Sequence, residues 1–186
     1  MTEQHSESVP TNPVGADAAP LTVECLVRPD LSPVSQRRID AIYSRLQALE
    51  ETAFIDSVTV SEWPPHRPAP VEDDTDTVYR QGRVDEFERW ANRQNCSLKP
   101  AFRRQPVPES LLDDDEPREA IRVPVVTLSL SAVDEETLSG VVPYTVDYGT
   151  DDAETYTVDD WPSAAEATTV PEQSRDAVAG TTTESA

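Results

Sequence analysis

Residues 21–63 read LTVECLVRPDLSPVSQRRIDAIYSRLQALEETAFIDSVTVSEW, and two hydrophobic periods follow one another within them. Leu21, Val23, Cys25 and Val27 alternate with Thr22, Glu24, Leu26 and Arg28, the period of two that side chains show along a strand. Ile39, Ile42, Leu46 and Leu49 then recur at intervals of three and four, which predicts one apolar stripe on a helix over 33–51. Ser32 stands where a hydroxyl can cap that helix. Pro33 suits the first helical position, where its missing N–H would be unpaired anyway. Residues 54–63 return to a strand, with Val58 and Val60 on one face, Ile55 and Trp63 on the other, and Pro64 and Pro65 closing it. Strand, helix and strand in this order predict a parallel βαβ unit.

Working outward, Val84, Phe87, Trp90 and Ala91 mark a second helix that starts near Thr77 or Gly82 and runs to Gln94. Residues 97–107 read as extended, with Leu98 and Phe102 on one side and Pro100 arguing for an edge or irregular strand. Residues 121–133 are the most apolar of the chain, and the change of phase near Pro124 predicts a bulge or a strand buried on both faces. Residues 138–146 pair back across Asp134, Glu135 and Glu136. The predicted fold is α+β: a two-layer sandwich of a mixed sheet with two helices on one face, in the order β-α-β-α-β-β, with disordered termini. The domain spans 21–146 and contains a Pro-rich, acidic loop at 64–76. Residues 1–20 form a disordered arm and 147–186 an acidic disordered tail.

Charge sets the solvent. The 186 residues carry 36 Asp and Glu against 15 Lys and Arg, a net charge of -21, and Lys99 is the single lysine beside fourteen arginines. Such an excess repels itself at low salt. At 1 M ionic strength the Debye length falls to roughly 3 Å and the penalty fades. The expected setting is therefore the molar-salt cytoplasm of a halophile. Residues 1–20 have neither the basic start nor the apolar run of a signal peptide, and no stretch approaches the length of a membrane helix, so no membrane partner is expected.

Catalytic patterns are missing. The five glycines stand singly, which excludes a phosphate-cradling loop or a dinucleotide fingerprint. The two histidines, His5 and His66, fall in segments read as irregular. The acidic runs Asp73, Asp74, Asp76 and Asp113 to Glu116 read as solvated loops rather than metal sites. Cys25 and Cys96 lack the paired spacing of a zinc site. The expectation is a protein that is not an enzyme, with no cofactor and no metal.

One window departs from the acidic trend. Between Arg80 and Arg104 there are seven basic residues against three acidic ones, interleaved with Trp90 and Phe102. Arg89, Arg93, Arg103, Arg104 and Trp90 are the candidate partner-binding residues. Their expected role is in a non-catalytic interaction or regulatory domain, whose partner is an unidentified protein or a second copy. The alternative is a transcription-associated protein whose basic-aromatic zone at 80–104 binds nucleic acid. Internal pairing of the arginines with nearby acids would leave neither.

Several segments together resemble a known family. They are Arg28-Pro29, the helix with Arg45-Leu46-Gln47-Ala48-Leu49-Glu50, the strand ending in Trp63, Phe87-x-x-Trp90-Ala91, Ser97-Leu98-Lys99-Pro100-Ala101-Phe102 and Val123-Pro124-Val125. Over residues 21–130 the chain resembles an uncharacterised family of small haloarchaeal proteins, some labelled generically as "HTH domain" proteins. The label implies DNA binding. A helix-turn-helix needs two helices joined by a turn of three or four residues, however, and here a strand and a long loop separate the two predicted helices.

Overall fold

The computed structural model describes residues 20–64, 75–106, 119–133, 137–147 and 153–169. The expectations for the N-terminal arm before Pro20, for most of the loop at 64–76, for both histidines and for Asp113 to Glu116 fall outside these residues.

The opening unit forms as its periods predict. β1 (Leu21–Val27) runs parallel to β2 (Ile55–Glu62), and α1 (Pro33–Glu51) connects them. Ser32 caps α1 by accepting a bond from the Ser35 N–H at 3.2 Å, and Pro33 occupies its first turn. Ile39, Ile42, Leu46 and Leu49 are its buried stripe. The helix ends with Ala53 at φ 58°, while the Ala53 N–H donates to the Glu50 carbonyl and the Phe54 N–H to that of Leu49. This is the paired bonding of a left-handed helix end, made without the usual glycine in a chain that has few.

α2 (Thr75–Arg93) follows, then the hairpin of β3 (Arg103–Pro106) and β4 (Glu119–Arg122). β5 (Val126–Ala132) pairs antiparallel with β1 on one side and with β6 (Leu138–Val142) on the other, completing a mixed sheet of order β2-β1-β5-β6. The α+β class and the mixed sheet thus stand as expected. The predicted hairpin partner at 138–146 is divided. Its first half is β6, and its second half is β7 (Tyr144–Asp147), which pairs with β8 (Ala153–Tyr156) instead.

Burial adds a second covered face to the two-layer expectation. Arg83 of α2 reaches Glu24 and Ser129, which are register partners on β1 and β5, so α2 lies over the face that carries them. Val23, Cys25, Leu128 and Leu130 point the other way and are wholly buried too. An apolar stripe must cover them, and α1 carries one, packed beside α3 (Asp160–Thr169).

α3 and β8 correct the expected disordered tail from 147. Asp160 reaches back to Thr157 at the start of α3: its carboxylate accepts from the Thr157 N–H at 2.8 Å and from the Thr157 hydroxyl at 2.6 Å. Val158, Trp161 and Ala165 are buried. Arg45 of α1 grips Glu166 with two bonds of 2.9 Å and also donates to the Ser163 hydroxyl. Arg38 pairs with Asp159. The domain therefore extends to the end of α3.

Candidate nucleic-acid interface

The basic window at 80–104 divides into buried and exposed parts. Its aromatic members belong to the core. Phe87 meets Trp63 and Phe102 edge-on, with ring centroids 6.1 and 6.0 Å apart. Trp90 is only 4% exposed, meets Tyr144 edge-on at 5.8 Å and donates its indole N–H to the Ser139 carbonyl at 3.0 Å. The expectation that Trp90 forms part of a partner-binding surface is corrected: its ring faces are spent on packing, and its one donor is satisfied. The window offers no stacking platform at Trp90 or Phe102.

The four candidate arginines do different things. Arg104 turns onto α2, where it bonds Glu88 at 2.9 and 3.0 Å and Asp85 at 2.5 Å. These carboxylates hold its guanidinium firmly charged, with the Glu88 bond the largest cause. Arg104 thus fastens the β3–β4 hairpin to the helix. Arg89 is exposed and donates to the Asp85 carbonyl one turn back at 3.2 Å. Arg93 is exposed in the last turn of α2, where a cation complements the helix dipole. Arg103 is exposed and donates to the Pro100 carbonyl at 3.0 Å. Three of the four therefore remain on the surface, and one is a structural clamp.

The hairpin exposes a basic feature that a contiguous window cannot show. Arg103 and Arg122 are register partners across β3–β4, so two guanidinium groups leave the same face side by side. Like charges directly opposite one another destabilise a ladder. Arg104 and Ile121, the next pair, face inward to α2 and the core. Behind the hairpin a pocket of about 320 Å³ is lined by Arg28, Asp30, Arg80, Gln105, Ile121 and Arg122 among others. Arg80 is 8% exposed, and its one bond among the described residues is a long one, 3.4 Å, to the Ile121 carbonyl. Burial, reinforced by the neighbouring charge of Arg28 and opposed by that of Asp76, lowers its proton affinity. Arg28 and Arg122 lie outside the predicted site, because the topology and not the sequence order brings them to it.

Among the described residues no arrangement for covalent chemistry accompanies these arginines. Cys25 and Cys96 are both free thiols, and burial pushes each up to about 11, so both stay protonated at neutral pH. Among the described residues no three His, Cys, Asp or Glu side chains gather as a metal site would need. No helix among the described residues is long and apolar enough to cross a membrane.

No curated protein and no solved structure matches the chain. A family model described as a helix-turn-helix domain matches residues 16–170, which include every described element up to α3. The helices that the name evokes are arranged otherwise: α1 and α2 are separated by residues 52–74 with β2 among them, and α3 meets α1 from the far end of the domain. By that match over most of its length, the chain belongs to the helix-turn-helix domain family.

Proposed function

We propose that this protein is a non-enzymatic, transcription-associated nucleic-acid-binding protein of a halophilic archaeal cytoplasm. The observation that carries the reading is the helix-turn-helix family match over residues 16–170. The exposed guanidinium groups of Arg89, Arg93, Arg103 and Arg122 support it, because arginine forks suit phosphate oxygens. Binding rests on phosphate contacts rather than on stacking, since Trp90 and Phe102 are buried. The net charge of -21 opposes long-range attraction to DNA. In molar salt that repulsion is screened beyond roughly 3 Å, and local contacts decide.

A gel shift with duplex DNA in molar KCl tests this reading. The unmutated protein shifts the duplex, and the double variant Arg93→Glu, Arg103→Glu binds about tenfold more weakly or worse. Arg104 is left intact in that variant because it holds the hairpin to α2. No shift with the unmutated protein contradicts the reading. The second reading, a regulatory domain that binds an unidentified protein or a second copy of itself, is favoured by the same net charge of -21. Light scattering that finds a dimer in a preparation with no affinity for DNA would support it.

A further inference from the structure

We propose that the pocket behind the β3–β4 hairpin is an oxyanion site that takes a phosphate group. Among the described residues three arginines line it, Arg28, Arg80 and Arg122, against one acid, Asp30. The chain has 36 acidic residues against 15 basic ones, so carboxylates are not in short supply. Arg38, Arg45, Arg83 and Arg104 all pair with one. Among the described residues the three pocket arginines form no ion pair.

Arg80 is the pivotal residue. A buried guanidinium ordinarily satisfies its five donors with a carboxylate or several carbonyls. Among the described residues Arg80 has one long bond, to the Ile121 carbonyl, and burial depresses its proton affinity, opposed by the charge of Asp76 and reinforced by that of Arg28. Such an arrangement costs stability by itself, and an anion seated between the arginines would relieve it. The pocket volume of about 320 Å³ sits at the small end of the range for ligand sites, about 300–1,000 Å³, room for a phosphate group with part of the molecule that carries it but not for a large cofactor. Phosphate also matches the planar donor fork of arginine, which binds it through two parallel bonds. Arg122 lines the pocket and is the cross-strand partner of the exposed Arg103, so a phosphodiester held on that basic face, or free phosphate, lies within reach of it.

Isothermal titration of inorganic phosphate into the full chain, in molar KCl at matched ionic strength, tests the site. Saturable binding to one site is expected, weakened about tenfold or more in both Arg122→Ala and Arg80→Met. Arg122 is exposed, so its variant folds even if Arg80→Met does not. Absence of saturable heat, or equal affinity in the unmutated protein and Arg122→Ala, would overturn the proposal. A parallel titration with short duplex DNA identifies the source of the phosphate. If inorganic phosphate displaces the DNA, the pocket holds a backbone phosphate. If phosphate binds while DNA does not, or binds without displacing it, the pocket serves a free phosphate ligand, and in the former case only the nucleic-acid reading fails.

Discussion

Two sets of arginines occupy the same acidic chain and meet opposite surroundings. At the seams between elements, Arg45 holds Glu166 between α1 and α3, Arg83 holds Glu24 between α2 and β1, and Arg104 holds Asp85 and Glu88 between the hairpin and α2. Around the pocket, Arg28, Arg80 and Arg122 converge without an ion pair among the described residues. A shortage of acids does not explain the contrast. The first set reads as mortar between secondary elements, and the second as cationic surface that pairs with none of the described carboxylates.

That contrast predicts stability changes of opposite sign. Arg104→Met should have the largest effect, a loss of about 2 kcal/mol in urea denaturation, because it removes charged hydrogen bonds and leaves Asp85 and Glu88 unpaired. A neutral result would remove Arg104 from the structural set. Arg80→Met should change stability the other way, gaining about 1 kcal/mol in phosphate-free buffer, since it exchanges a buried cation with no ion pair among the described residues for an apolar side chain. A marked loss there would show that Arg80 is internally paired and so erase the contrast.

The smallest effect belongs to the half-exposed α1–α3 seam, where Arg45→Ala should cost about 0.5 kcal/mol at neutral pH and less as salt rises. The Arg45 bond holds the Glu166 carboxyl below its ordinary value of 4.5. A lowered carboxyl stabilises the fold above the unfolded value and loses that contribution as pH falls through the folded one. The difference between Arg45→Ala and the unmutated protein should therefore close below pH 4.5, and a difference constant with pH would remove Glu166 from the seam.

What could be read directly from the chain follows from how local each signal is. α1 was legible to its ends, because its stripe, the Ser32 cap and Pro33 all lie within one stretch. β1 and β2 were legible from their alternation and the prolines that flank them, whereas the apolar run at 121–133, read as one strand, divides between the end of β4 and β5. α3 was not, since its core contribution comes from Val158, Trp161 and small Ala165 amid Ser, Thr and Ala. The Thr157-x-x-Asp160 cap ahead of it was the available signal. The basic window located Arg103 but could not show that Arg104 would fold inward or that Trp90 would be buried, because strand alternation and tertiary packing decide both. The pocket was invisible for a related reason: Arg28, Arg80 and Arg122 come from three separate parts of the chain.

The most direct test is the salt dependence of duplex DNA affinity, followed by fluorescence anisotropy across KCl concentrations. If the face bearing Arg103 and Arg122 neutralises about three phosphates, log K should fall against log [KCl] with a slope of about −3, and the double variant Arg103→Glu, Arg122→Glu should flatten that slope by about 2. Absence of binding at every KCl concentration, or a slope untouched by the double variant, would contradict it.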